Sequence, residues 1–426
     1  MAAGLPACRF IGRQARTRCL PSQPGRLFST LWHEGNSHGL ERAVRGLEFG
    51  IGLARRGGTY SGMARVLVGL SGGVDSAVAA ALLVEQGHEV AAGYMKNWIN
   101  DEGIPGSCPW QQDIEDALAV AKTLGIEFRV IDLMDAYRQR IVDCLIEGYR
   151  SGITPNPDVW CNREMKFGVF LDYALSQGFE RVATGHYARG RTLADGSPAI
   201  LRGADPNKDQ SYFLALLTRH QAAHALFPTG EMLKPEVRAV ARRFNLPVAE
   251  KKDSQGICFL GQVKMSDFLR HHLPDTPGDI VDPAGKVLGQ HCGLHLYTLG
   301  QRKGHGVASP RDGMAYVVVA KDLPNNRLVV GWDDPASAGL YTRRCMVGTL
   351  SSINEPFDGR GLIEAQPRYR SKAEPAAMEA SADGRIRLEF RRPQRAIAPG
   401  QICAFYDGGR LLGGGVFESV SPTDAI

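Results

Sequence analysis

A chain of 426 residues, 22% charged and 43% apolar, has the length for about two or three globular domains. No apolar run approaches the ~20 residues of a membrane helix, and the nine cysteines contain no CxxC pair, so neither a spanning segment nor a zinc-cluster or disulfide framework is indicated. The first 63 residues carry +6 of a total net charge of +5, which leaves −1 from Ala64 onward, so net charge does not argue for nucleic-acid binding by the body of the chain.

In chain order, Val66–Leu70 reads as a strand and Asp75–Gln86 as a helix ended by Gly87. Glu89–Tyr94 is a second strand, Gln112–Leu124 a helix stopped by Gly125, Glu127–Ile131 a third strand and Asp135–Arg150 a longer helix. Arg163–Gln177 is helical, Arg181–Thr184 a strand, and His220–Leu226 and Lys234–Phe244 are helical. Alternating strands and helices argue a parallel sheet with helices on both faces, whose ligands bind beyond the carboxyl ends of the strands. From about Pro277 the texture changes to short β-like runs split by Gly, Pro, Asn and Asp. They are Leu294–Leu299, Ala315–Ala320, Arg327–Val330, Arg385–Phe390, Ile402–Tyr406 and Gly415–Phe417, which suggest small all-β modules or barrels.

The most informative segment is Gly69-Leu70-Ser71-Gly72-Gly73-Val74-Asp75-Ser76, a strand, glycine loop and helix start in succession. Such a junction aims unpaired backbone N–H groups and the positive helix end at an anion. Gly72 and Gly73 admit close approach of a phosphate, Ser71 and Ser76 add hydroxyl donors, and Asp75 can help hold Mg²⁺. No Lys-Ser/Thr ending follows, so this is not the P-loop of ordinary NTPases. It resembles the PP-loop of ATP pyrophosphatases, which split ATP between the α- and β-phosphates.

Three further segments carry chemistry. Thr154-Pro155-Asn156-Pro157-Asp158-Val159-Trp160-Cys161-Asn162 is a proline-stiffened loop ending at a cysteine about to enter a helix, where a thiolate is favoured. Lys251-Lys252-Asp253-Ser254-Gln255-Gly256-Ile257-Cys258-Phe259 places a second cysteine in a Gly-containing loop near two lysines. Lys208-Asp209-Gln210-Ser211-Tyr212-Phe213 is a polar helix start with aromatics behind it.

Together these segments resemble the tRNA-specific 2-thiouridylases, PP-loop enzymes of bacteria and organelles that thiolate the wobble uridine of certain tRNAs. The resemblance runs from Val66 to about Phe417 and includes Met95–Trp98, Ala183–Ala188, Asn207–Leu214, Tyr297–Gly304 and Pro367–Arg370. It implies an adenine-nucleotide α-hydrolase (PP-loop, Rossmann-like) α/β domain followed by a small all-β central domain and a C-terminal β-barrel. The expected boundaries are 1–62 extension, 63–262 catalytic, 263–335 central and 336–426 barrel. ATP, with Mg²⁺, would lie on Gly69 to Ser76, framed by Met95 and Gly185. Cys258 would carry a persulfide from a sulfur-donor protein, Cys161 would be its partner nucleophile, and Asp158 would act as general acid/base.

By the same resemblance Asn156, Pro157 and Asp158 contact the target base. His186, Lys208, Asp209, Gln210, Arg368, Tyr369 and Gln401 contact tRNA, with the base extruded from the anticodon loop. The clusters Arg368/Arg370/Lys372 and Arg391/Arg392/Arg395 can neutralise phosphates. Two other readings are an amidotransferase or ligase related to GMP synthetase or lysidine synthase, which would need neither cysteine, and a non-catalytic tRNA-binding protein. Residues 1–62 read either as upstream sequence without a fold, with Met63 as the natural start of a cytoplasmic protein, or as an arginine-rich mitochondrial transit peptide. The first is favoured because Asn207–Phe213 and Leu299–Gly304 look more like bacterial members.

Overall fold

Val66, Leu67 and Val68 are fully buried, and the reason is topological: their strand lies inside a five-stranded parallel sheet covered on both faces. In the computed structural model the described residues are 63–106, 109–253, 261, 263–309 and 313–421. They fall within the second of two units into which the chain divides, Thr59–Ile426.

The elements run β1 (Arg65–Gly69), α1 (Val74–Glu85), β2 (Glu89–Lys96), α2 (Trp110–Leu124) and β3 (Glu127–Asp132). Then come α3 (Met134–Tyr137), a π-helical stretch Arg138–Val142 and α4 (Asp143–Arg150). A second interrupted helix joins α5 (Pro157–Trp160), a π-helical stretch Cys161–Val169 and α6 (Phe170–Ser176). β4 (Arg181–Ala183), the hairpin β5 (Ala188–Thr192) and β6 (Pro198–Arg202), α7 (Arg219–His224), β7 (Ala225–Leu226) and α8 (Lys234–Arg243) follow. The first sheet has the order β3-β2-β1-β4-β7. The chain leaves β1 for β2 on one side and meets β4 on the other, so the crevice for a ligand opens between β1 and β4.

After α9 (Met265–His272), β8 (Gly278–Val281), β9 (Val287–His291), β10 (Tyr316–Asp322) and β11 (Arg327–Trp332) form a small sheet of order β10-β11-β8-β9. The last part comprises β12 (Tyr341–Ser352), β13 (Arg360–Gln366), β14 (Glu374–Ala380), β15 (Ile386–Arg395), β16 (Ile402–Asp407) and β17 (Arg410–Ser421). These close into an antiparallel barrel because β17 pairs with both β16 and β12. Val347, Ile386, Leu388, Phe390, Phe405 and Phe417 fill it.

Three features depart from the sequence reading. Leu294–Leu299 is not a strand: Leu294–Leu296 is a turn of 3₁₀-helix whose apolar residues are buried from a loop. The helix expected from Arg163 begins at Pro157, with Asn156 as its N-cap accepting from the Val159 N–H at 3.3 Å. Cys161 is therefore inside a helical run and not at its N-terminus. Finally, the hairpin β5–β6 leaves the parallel sheet and extends the barrel sheet through the β17–β6 pairing of Arg410 with Leu201.

Candidate active site

The glycine loop between β1 and α1 is built for an anion. Gly73 is the N-cap of α1 and supplies no side chain to cap it, so the first N–H groups of the helix have no local side-chain acceptor. Gly72 has φ +72°, and a Cβ there would come within 2.6 Å of the Asp113 carbonyl oxygen. A Cβ on Gly185, just beyond β4, would lie 2.5 Å from the backbone carbon of Asp75. Ser76 Oγ accepts from the Ser71 N–H at 3.2 Å and donates to the Gly73 carbonyl at 3.0 Å, tying the loop across its mouth. Met95 Cε packs 3.0 Å from the position of a Gly69 Cβ. At the end of β2, Asn97 is buried with both side-chain polar atoms unpaired. A bound group with both a donor and an acceptor would satisfy it. The cradle and the orphaned amide fit a nucleotide phosphate and its attached ring.

A charge network backs this loop. Asp75 Oδ1 accepts from Tyr187 Oη at 2.8 Å and from Lys234 Nζ at 2.7 Å. Lys234 also pairs with Asp253 at 2.8 Å, and Asp253 is held by Lys208 at 2.8 Å and Arg238 at 3.0 Å. Burial alone would raise the Asp253 carboxyl, but the bonds from Lys208 and Lys234 outweigh it and hold it down at about 2. Burial and the neighbouring Asp75 raise the Tyr187 phenol, so Tyr187 stays a donor. A Mg²⁺ ion reaching Asp75 must therefore compete with Lys234 or use the other carboxylate oxygen. Lys234 and Arg238 were not singled out in the sequence, and Asn97 and Tyr187 stood there only within Met95–Trp98 and Ala183–Ala188, with no role of their own. Their only signals are position: Asn97 ends a strand beside Met95, and Lys234 opens a helix.

The Cys161 segment is held from the barrel side. The Thr154 N–H donates to the Pro399 carbonyl at 2.9 Å, and Gln401 Nε2 donates to the Thr154 carbonyl at 2.8 Å. Gly400, at φ +89°, fits against the Thr154 backbone, where a Cβ would approach to 2.9 Å. Tyr212 Oη donates to the Ile402 carbonyl at 2.8 Å, and the Phe213 and Tyr369 rings lie 4.3 Å apart. Asn162 Nδ2 donates to the Phe213 carbonyl at 3.0 Å, while its Oδ1 is buried and unpaired. Cys161 itself is buried. Its helical run then packs Phe167 against His186, ring centroids 6.1 Å apart, and Phe170 against Gly69 and Gly93 of the sheet. The run carrying the cysteine thus rests on the two strands beside the glycine loop.

Residues 64–262 match the family described as the tRNA methyl transferase HUP domain, 266–332 the tRNA methyl transferase PRC-barrel domain, and 342–417 the aminomethyltransferase beta-barrel domain. The chain is 68% identical over 360 residues to the tRNA-specific 2-thiouridylase MnmA of Akkermansia muciniphila, covering 84% of this chain and 100% of that protein. It is 46% identical over 368 residues to the protein of that name from Pseudomonas savastanoi pv. phaseolicola, covering 85% of this chain and 96% of that one. The chain belongs to the tRNA-specific 2-thiouridylase family. Among solved structures, an NMN synthetase from Francisella tularensis is similar at a TM-score of 0.31 and 20% identity, over 50% of this chain and 85% of that one.

Several residues expected to contact tRNA are engaged within the fold. Asp209 accepts from Arg202, from the Gly203 N–H and from both the N–H and hydroxyl of Ser211. Gln210 exchanges hydrogen bonds with the Tyr187 backbone at 2.9 and 3.0 Å. His186 is buried, its Nδ1 2.7 Å from the Thr184 hydroxyl, and burial together with Lys166 holds its imidazolium well below the usual range. Arg368 Nη2 donates to the Arg395 and Ala396 carbonyls. Arg395 in turn pairs with Asp333 at 2.8 Å. Lys251 bonds Asp113 and Asp116 at 2.8 and 2.6 Å. Cys258 lies outside the described residues, as does the 1–62 extension. Among the described residues no helix is long and apolar enough to cross a membrane.

Proposed function

We propose that this protein converts the wobble uridine of tRNA to 2-thiouridine at the expense of ATP, releasing AMP and diphosphate. The observation that carries the reading is the packing of the Cys161 helix on the strands that lead into the glycine loop. That arrangement holds a nucleotide-binding cradle and a thiol on one rigid layer.

In this scheme ATP lies with its phosphates at the uncapped start of α1, and the uracil O2 attacks the α-phosphate, expelling diphosphate. C2 then carries a good leaving group. Cys258 arrives with a persulfide from a sulfur-donor protein. The Cys161 thiolate attacks the Cys258 sulfur, a Cys161–Cys258 bond forms, and the outer sulfur departs as hydrosulfide. That hydrosulfide adds at C2 and AMP leaves. Asp158 carries a proton at this step, and an external thiol reduces the disulfide for the next cycle. Asn156 and Pro157 face the base, Lys208, Tyr369 and Arg370 meet the RNA, and Asp209, Gln210, His186, Arg368 and Gln401 act through the loops they hold. Cytoplasm is the proposed compartment.

The test is mass spectrometry of tRNA nucleosides from a host lacking its own wobble 2-thiouridylase. The host is complemented with this chain, with Cys161→Ser or with Cys258→Ser. Return of 2-thiouridine with the parent alone is expected. Soluble parent that consumes ATP with its cognate sulfur donor yet returns no 2-thiouridine would overturn the assignment.

A further inference from the structure

A cluster outside this machinery has the composition and spacing of a metal centre. Glu102 lies in the loop between β2 and α2, while His271 and His272 end α9. Glu102 Oε2 is 3.2 Å from His271 Nε2 and 3.4 Å from His272 Nε2. One ligand atom from each of the three side chains lies within 4.8 Å of the others. We propose that Glu102, His271 and His272 bind Zn²⁺, with water or another small ligand in the fourth position.

The distances suit a metal as well as an ion pair, and the unpaired carboxylate oxygen of Glu102 favours the metal. Zn²⁺ bonds of about 2.0–2.1 Å in a tetrahedral shell set neighbouring ligand atoms roughly 3.3 Å apart, which two of the three edges already match. Glu102 Oε2 is also buried and accepts no hydrogen bond, although two imidazole nitrogens face it. Nitrogens beside a carboxylate oxygen without donating to it are what a shared cation requires, since all three lone pairs then point inward. The other oxygen, Oε1, accepts from Arg138 at 2.8 Å, which orients the carboxylate from behind. Arg138 also pairs with Asp143, which offsets part of its charge. The His272 ring is edge-on to Phe268 at 4.6 Å and to His271 at 4.9 Å, so its direction is set by packing.

Two imidazoles and one carboxylate suit Zn²⁺ and disfavour Mg²⁺ and Ca²⁺, which take oxygen shells. The ion would staple the loop that follows Asn97 to the end of α9. This inference does not depend on the thiolation reading.

The experiment uses the full chain in a Cys161→Ser/Cys258→Ser background, which removes two of the nine thiols, and the His271→Ala comparison separates binding at the others, after dialysis against a chelator. Zn²⁺ is titrated by calorimetry, and thermal unfolding is followed with and without the ion. At hundredfold excess over Kd the parent should gain roughly 5 °C in Tm. His271→Ala and Glu102→Gln should lose both the binding and the gain. His271 is partly exposed at 40%, so its variant tests the site without emptying a core position. Co²⁺ in place of Zn²⁺ should give the intense visible bands of a tetrahedral site in the parent only. Binding that is unchanged in His271→Ala, an equal response to Mg²⁺, or a parent that loses stability with rising pH but ignores Zn²⁺ would each overturn the proposal.

Discussion

The glycine loop and the Cys161 loop sit on one sheet layer and are positioned by opposite means. The glycine loop is local: a buried strand, a tight turn and a helix start within a dozen residues, all forced by backbone geometry. The Cys161 loop is held by Pro399, Gly400 and Gln401, which belong to the barrel near the other end of the chain. The difference teaches that the barrel helps to position the segment that carries Cys161, by holding the Thr154 backbone at its start.

The comparison can be broken from either side. The largest effect is expected from Gly185→Ala, because the new Cβ would meet the Asp75 backbone and must push the start of α1. A displacement of that kind costs about 100-fold in rate and about 1–3 kcal/mol in stability. Steady-state kinetics of ATP-to-AMP turnover reads the first and urea unfolding the second. Wild-type rates in this variant would show that the cradle is not where the nucleotide sits.

Gln401→Ala attacks the second loop from the barrel. It leaves the Thr154 carbonyl without its side-chain donor, a loss of about 1–2 kcal/mol, and activity should fall roughly 10-fold with ATP binding unaltered. A change in ATP KM instead would mean that the two loops are not independently positioned. Both properties are read from one titration of ATP at saturating tRNA.

Asp253 gives the charge network a pH signature. Its ordinary value is 3.8 and its folded value about 2, so the stability it contributes is present above about pH 4 and is lost as pH falls toward 2. Acid unfolding of Asp253→Asn should lack this limb while starting from a lower stability at neutral pH, since Lys208, Lys234 and Arg238 lose their shared partner. Superimposable acid limbs for parent and variant would remove Asp253 from the account. The smallest effect belongs to Arg360→Ala on β13, whose pair with Glu379 is exposed on the barrel surface. Less than about 1 kcal/mol is expected, and a larger drop in Tm would show that the barrel is less robust than its apolar core implies.

Much of the fold was legible because its signals are local. β1, α1, α2, β3 and α8 follow from apolar periodicity and glycine stops, and the strand–glycine–helix junction follows from the residue types in it. The hairpin β5–β6 was not legible: Ala188–Arg202 is polar and short, and its partner Arg410–Leu411 lies some two hundred residues away. Leu294–Leu296 misled because a buried apolar run looks alike as a strand or as a loop wedged into a core. The engagement of Asp209 with Arg202 and Ser211 was equally out of reach, since an aspartate in a polar segment reads as a surface contact until its partners are seen.

By itself the sequence determined the parallel sheet, the strand–glycine–helix junction and the family, because each rests on residue types at short spacing where backbone sterics leave few alternatives. Only the tertiary structure decided what the charged and polar groups do. Whether Asp75 faces a lysine, Gln401 a loop carbonyl, or Glu102 two imidazoles depends on elements far apart in the chain meeting within about 3 Å. Hydrogen bonds and ion pairs carry no periodicity along the chain, and only the packing of the apolar faces brings their partners together.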